Sequence, residues 1–378
     1  MDLGAATTFL VVAASQGEQV HGLLKSNGWL EAHVEPLRDE TGKIGFPLVA
    51  QADARTVEAA ATAEIGVTSK LVVREVARRD SVDPHHRLTK AVQTWIDAHD
   101  LSLEADTLVP IKWERLGDLM LLPLEWRQSE AWLAVRQHPE VTSLWSSMAE
   151  ALKVTSLGIQ APVANDIFRS SQVEMLLGSS NVEFTDHGMT YIFDAAKVMF
   201  SSGNITERRR IGAMNMREEV VVDAYAGVGY YTFPMLVHAG AAHVHACEIN
   251  PASIAGLRAG AAANGLLNRL TVHEGDNQVA LLGLKGMADR CHLGLLPSSE
   301  PVWEPCLLAL KSSGGVLHIH MNVEEERIEA WTAATVNTFD ALVAKHGLGF
   351  TVKAEHLERV KWFAPRVRHV VLDLSLRP

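Results

Sequence analysis

The chain has little cysteine, no long apolar run and no surplus of positive charge. Its three cysteines, Cys247, Cys291 and Cys306, sit in the C-terminal part without a Cys-x-x-Cys pair, which excludes a disulfide framework and points to a reducing, cytoplasmic setting. Thr8–Ala14 is too short to cross a bilayer and follows no basic residue, so it reads as a first strand rather than a signal peptide, and no membrane partner is expected. The formal net charge of −11 argues against indiscriminate nucleic-acid binding, which needs broad neutralisation of phosphates. Local basic stretches remain: Arg74, Arg78, Arg79, Arg87 and Lys90; Arg208–Arg210; and Arg359, Lys361, Arg366 and Arg368 in the tail. Taken singly, each reads as a solvated face. There is no Gly-x-Ser-x-Gly elbow, no Walker loop, no fixed-period repeat and no low-complexity tract.

What is present is enough apolar residue, 47% of 378, for two or three domains. The N-terminal part reads as α+β. An amphipathic helix from Gln16 breaks near Asn27-Gly28, and an extended piece ends at Phe46–Val49. Residues 54–100 read as mainly helical, with a break at Asp83-Pro84, and Ile111–Pro123 reads as a strand pair around Gly117-Asp118. These patterns divide the chain into an N-terminal α+β module (1–105), a middle α+β domain (106–180) and an α/β domain (181–378).

The α/β domain carries three strand-like runs that each stop at an acid. Val220–Val222 runs into Asp223 and the loop Ala224–Tyr230; His243–Cys247 ends in Glu248; Leu270–His273 leads to Gly275-Asp276-Asn277. Asn250-Pro251 is a good helix start and Asn264-Gly265 a good stop, which places a crossover helix at 251–264. In an open parallel sheet the carboxyl ends of the strands line one crevice, so these acids converge on one ligand. The glycine loop lets backbone approach that ligand, the second acid can accept from ribose hydroxyls, and Asp276-Asn277 can hold a base. A nucleoside cofactor is the expectation.

The loop reads Gly227-x-Gly229-x-x-Thr232, so it lacks the third glycine of the dinucleotide fingerprint. A fourth apolar strand at Cys291–Leu296 breaks into Pro297-Ser298-Ser299, which faces the reacting centre or is an ordinary turn, and Gly314–His320 is a fifth. Gly349–Leu357 and Val367–Leu374 read as two closing strands around Lys361–Pro365. A doubly wound sheet closed by an antiparallel hairpin resembles the class I S-adenosylmethionine (SAM) transferases more than nicotinamide dehydrogenases. His243/His245 and His318/His320 have same-face strand spacing, but neither pair lies near a further ligand cluster. Hydrogen-bonded, partly buried histidines are expected, and no metal. Glu324–Glu326 reads as a solvated helix start.

A more specific resemblance rests on Phe200–Arg208, Val220–Tyr230, His238–Ala242, Cys247–Pro251, Gly275–Asn277, Leu293–Ser299 and His318–His320, with Trp113–Asp118 and Arg169–Gly178 upstream. These segments are similar to the wybutosine-pathway tRNA transferases, densely over about 180–325; residues 51–105 match nothing in the family. The resemblance implies transfer of the 3-amino-3-carboxypropyl group of SAM, rather than its methyl, to a tricyclic guanosine derivative (4-demethylwyosine) beside the anticodon of tRNA(Phe). It also implies SAM contacts at Ser201, Arg208, Glu248, Asp276 and Asn277. Asp223 and Gly227 are added by the strand-end and glycine-loop reading, and Pro297, Ser298 and Ser299 are expected on the substrate side. Leu295-Leu296-Pro297 stands where methyltransferase relatives carry Asn-Leu-Pro, which favours the aminocarboxypropyl branch. The alternatives are a tRNA guanine-N1 methyltransferase on the same fold, a non-catalytic SAM-fold scaffold, and a dehydrogenase resting on the glycine loop alone. No side-chain nucleophile is evident; Asp276 and His320 are candidates for a general base by position only. The N-terminal module and the basic tail are the expected tRNA-holding parts, and nothing points to an obligate protein partner.

Overall fold

The computed structural model describes residues 5–31, 34–38, 42–76, 83–164, 166–200 and 202–378. The chain forms two compact units, residues 1–87 and 88–378.

In the first unit an antiparallel sheet of four strands runs in the order Leu37–Arg38, Lys43–Pro47, Ala5–Ala13, Lys70–Val76. Leu10, Val12 and Phe46 pack against Val20 and Leu24 of the helix Gly17–Ser26 and Val57 and Ala61 of the helix Ala54–Ile65. Gly66, in the left-handed region at φ 72°, ends the second helix. The strand Lys70–Val76 lies inside the stretch expected to be helical. Its β-branched Val72, Val73 and Val76 pair with the first strand, and that pairing overrides the charge-rich, helix-like composition.

The second unit starts earlier than the boundary expected near residue 105. The helix Pro84–Ala98 buries Leu88, Val92, Trp95 and Ile96 in the same core as Leu108, Leu122 and Trp132. The Nε1–H groups of Trp126 and Trp132 both donate to the Leu108 carbonyl, fixing two large rings in this core. The strand pair expected around Gly117-Asp118 is present as Glu114–Leu116 and Leu119–Leu122, which continue into Ser156–Ile159 and Glu174–Leu177. Residues 181–194 are a separate hairpin, Asn181–Asp186 with Met189–Asp194, turning at His187-Gly188.

The doubly wound sheet itself begins at Val220. Its strands are β1 (Val220–Asp223), β2 (His243–Glu248), β3 (Leu270–Glu274), β4 (Arg290–Leu293), β5 (Gly315–Glu324), β6 (Thr351–Ala364) and β7 (Val367–Arg377), in the order β3-β2-β1-β4-β5-β7-β6. β1 to β5 are parallel, and the expected closing hairpin pairs antiparallel, β7 on β5 and β6 on β7. The helices α1 (Ile205–Gly212), α2 (Thr232–Val237), α3 (Pro251–Ala263), α4 (Asn277–Leu282), α5 (Trp303–Ala309) and α6 (Ile328–His346) connect and cover the strands. α3 is the expected crossover. The Asn250 carboxamide accepts from Ala252 N–H to cap its start, and the Asn264 side chain exchanges hydrogen bonds with the Thr190 backbone at its end. Gly256 lets α3 approach the 181–194 hairpin: a Cβ there would lie 2.8 Å from the Ile192 carbonyl. Among the described residues, no helix is long and apolar enough to cross a membrane.

Candidate active site

A cavity of about 330 Å³ opens at the carboxyl ends of β1 to β4, where the strand order reverses. Its floor is the loop after β1. Gly227 and Gly229 have φ of 57° and 100°, and a Cβ on Gly229 would meet the Phe233 ring at 2.6 Å. Only glycine fits there, so the chain can turn sharply from strand into α2.

Glu248, at the end of β2, holds this loop in place. One carboxylate oxygen accepts from Gly227 N–H at 2.8 Å, the other from Ile249 N–H (2.9 Å) and Asn250 N–H (2.8 Å). Burial pushes its carboxyl up from the ordinary value, against the downward pull of those three donors. Asp276, after β3, lines the cavity and caps α4 by accepting from Gln278 N–H at 2.8 Å. Asn277 lines the cavity too, with its amide donating to the Ala224 carbonyl at 2.9 Å. Arg208 of α1 lines the cavity, although it is 97% buried: its guanidinium donates to Asp186 at 2.9 Å and lies 5.2 Å from the centre of the Phe200 ring. The structure therefore brings Arg208, Gly227, Glu248, Asp276 and Asn277 to one cavity.

The remaining expected residues lie elsewhere. Asp223 is fully buried beneath the loop, accepting from the Thr232 hydroxyl at 2.7 Å, and does not line the cavity. Ser201 lies outside the described residues. After β4 it is Gly294, Leu295 and Leu296 that line the cavity. Pro297 is exposed, Ser298 accepts from Glu300 N–H, and Ser299 is buried and accepts from Trp303 Nε1–H. His320 is buried among histidines, with Nδ1 3.0 Å from His369 and Nε2 3.0 Å from His292; burial holds it well below the ordinary histidine range, and it too does not line the cavity. Among the described residues, no cluster of His, Cys, Asp and Glu is arranged to hold a metal ion.

Ile167, Phe168 and Arg169, none of them an expected site residue, line one side of the cavity. The Phe168 carbonyl accepts from the Asn250 side chain at 3.2 Å, and Arg169 donates to the Leu296 carbonyl at 2.7 Å, so this segment is tied to both β2 and β4 loops. Tyr230 and Tyr231, inside the glycine-loop motif, line the cavity as well.

Residues 182–349 match the TRM5/TYW2 methyltransferase domain family. The tRNA wybutosine-synthesizing protein 2 homolog of Danio rerio is 37% identical over 328 residues, which span 78% of this chain and 79% of that protein. The chain belongs to the tRNA wybutosine-synthesizing protein 2 family. Within the tRNA wybutosine-synthesizing protein 2/3/4 of Oryza sativa, 38% identical over 303 residues, the match spans 80% of this chain but only 28% of that longer protein. Among solved structures, P. horikoshii TYW2 in complex with MeSAdo is 25% identical, with a TM-score of 0.61 over 76% of this chain and 99% of that one. Trm5b of Pyrococcus abyssi, at 20% identity and a TM-score of 0.60 over 98% of this chain, shares the fold. The class I transferase fold is thus common to the family and to Trm5b.

Proposed function

We propose that this chain transfers the 3-amino-3-carboxypropyl group of SAM to the tricyclic wyosine precursor, 4-demethylwyosine, beside the anticodon of tRNA(Phe) in the cytoplasm, releasing methylthioadenosine. The observation that carries the reading is the cavity, whose lining combines the carboxylates of Glu248 and Asp276 with the guanidiniums of Arg169 and Arg208 and apolar Ile249, Leu295 and Leu296. That donor set fits a zwitterionic nucleoside: carboxylates for ribose hydroxyls, a side-chain amide for a base edge, a guanidinium for the methionine carboxylate. The membership of the wybutosine-synthesizing family supports the aminocarboxypropyl group over the methyl.

SAM supplies a sulfonium that activates three carbons, and displacement at the methionine-side γ-carbon leaves methylthioadenosine. The protein's part is orientation. Glu248 keeps the glycine loop rigid, Asp276 and Asn277 fix the rim after β3, and Arg208, locked by Asp186 and Phe200, presents a fixed cation. Such positioning brings the acceptor carbon in line with the γ-carbon, so the new carbon–carbon bond forms as the sulfonium carbon–sulfur bond breaks, and the acceptor carbon gives up its proton to water. Proximity alone lowers the barrier substantially. The Cys247 thiol lines the cavity, but burial pushes it up to about 12, so it is no ready nucleophile, which fits direct transfer to the base. The test is product analysis with purified chain, SAM and tRNA carrying the tricyclic precursor. Methylthioadenosine is the expected co-product; S-adenosylhomocysteine in its place would make the chain a methyltransferase.

A further inference from the structure

Two large aromatic side chains lie exposed near the turn of the β6/β7 hairpin. Trp95, Trp126, Trp132, Trp145 and Trp303 are all buried, whereas Trp362 and Phe363 are 52% and 58% exposed at adjacent positions. The Trp362 ring is not loose. Arg368, its register partner on β7, lays its guanidinium 3.6 Å from the ring centre and is itself held by Glu325 at 2.7 Å. A second arginine, Arg359, also reaches Glu325, at 3.4 Å. Half of the Trp362 side chain is left to solvent, already oriented.

Two further cations lie next to these rings in the chain. Arg366 is exposed in the turn at φ 63°, and Lys361 extends over Gly203, where a Cβ would come within 2.6 Å of its Nζ. Neither has a carboxylate partner among the described residues, in a chain whose net charge is −11. Gly203 directly precedes Asn204, which lines the cavity, so the platform starts at the cavity's edge.

We propose that Trp362 and Phe363, with Lys361 and Arg366, form a stacking platform for an unpaired nucleotide next to the acceptor base. The assignment rests on the RNA substrate of the proposed function and names the part that would grip it. Flat aromatic faces recognise bases that are free to splay out, while duplex bases are already stacked on one another. The neighbouring cations serve the phosphates on either side without reading sequence. A pre-oriented tryptophan loses little freedom on binding, which suits it to the role.

The test compares a labelled RNA stem-loop with unpaired loop nucleotides against a fully paired duplex of equal length, each titrated with the full chain. Trp362→Ala/Phe363→Ala is expected to raise the stem-loop Kd about tenfold or more, leaving duplex binding and SAM affinity unchanged. Trp362→Phe should retain most of the stem-loop affinity. Arg366→Ala should weaken both RNAs alike and lower the salt-dependence slope by about one. Unchanged SAM affinity certifies a folded variant. A stem-loop Kd within twofold of wild type, or an equal loss for the duplex, would overturn the platform, and a wild-type chain that binds neither RNA would overturn it together with the RNA substrate. If wild type binds the stem-loop but releases S-adenosylhomocysteine, the transferred group is wrong while the platform is still decided by the variants.

Discussion

At the ends of β2 and β3 the acids meet backbone N–H groups of the cavity loops; across β4, β5 and β7 they meet side chains from distant segments. Glu248 is satisfied by Gly227, Ile249 and Asn250, and Asp276 by Gln278. By contrast, the Asp373 carboxylate is gripped by both terminal nitrogens of Arg210, 163 positions away, and by His318 Nδ1 at 2.6 Å. Arg210 closes a second bidentate pair with the buried Glu207. Arg290 donates to His318 Nε2 and holds Glu219 in a third. Because Arg290 donates to Nε2, the proton of neutral His318 sits on Nδ1 and is donated to Asp373. The local arrangement leaves a cavity open while consuming few side chains. The distant one knits α1, β4, β5 and β7 into one body. The cavity and the network thus use different groups, although α1 and β4 contribute to both.

Breaking the distant network should have the largest effect. Asp373→Ala leaves Arg210, Glu207 and His318 as an imperfectly compensated buried cluster and is expected to cost about 3–5 kcal/mol of stability, seen as a lowered denaturation midpoint. SAM affinity of the remaining folded protein should change little. A stability loss no larger than that of a surface substitution would remove the contrast.

Acid should reveal the same network next. Burial pushes His318 and His369 down to about 4, so both are neutral when folded. Unfolded, each takes up a proton below its ordinary value near 6.5, so the stability they contribute is complete above that pH and falls as pH drops toward 4. At pH 5 the loss is about 2 kcal/mol for each. Denaturant titrations at pH 7 and pH 5 check this; equal stability at both values would mean that these rings are charged in the fold.

Glu248→Ala should show the reverse pattern. It frees three backbone N–H groups beside the cavity and is expected to weaken SAM binding by about 1–3 kcal/mol, measured by calorimetry, with a smaller change in stability. Unchanged SAM affinity in the folded variant would take Glu248 out of the site.

The same contrast explains what could be read from the sequence. Asp223, Glu248 and Asp276-Asn277 announce strand ends because each lies within a few residues of its glycine loop or cap, and α3 is bounded by Asn250-Pro251 and Asn264-Gly265 as expected. Asp223 shows the limit: the spacing marks the strand end but does not reveal that Thr232 turns its carboxylate away from the cavity. Phe168 and Arg169 escaped because their placement depends on Asn250 and Leu296, 82 and 127 positions along the chain. His318 and His320 suggested a pair by spacing. Their partners Asp373, Arg290, His292 and His369 come from β4 and β7, and no local pattern specifies those contacts. The strand Lys70–Val76 was hidden for the same reason, since its pairing with Ala5–Ala13 is long-range.

On the proposed function, the cavity presents the aminocarboxypropyl arm of SAM, not its methyl, to the RNA. Two preparations of SAM, one labelled in the methyl group and one in the aminobutyrate carbons, decide it with the full chain and precursor-bearing tRNA. Label in the tRNA is expected only from the aminobutyrate preparation. Methyl label arriving on the tRNA, with none from the aminobutyrate carbons, would contradict it.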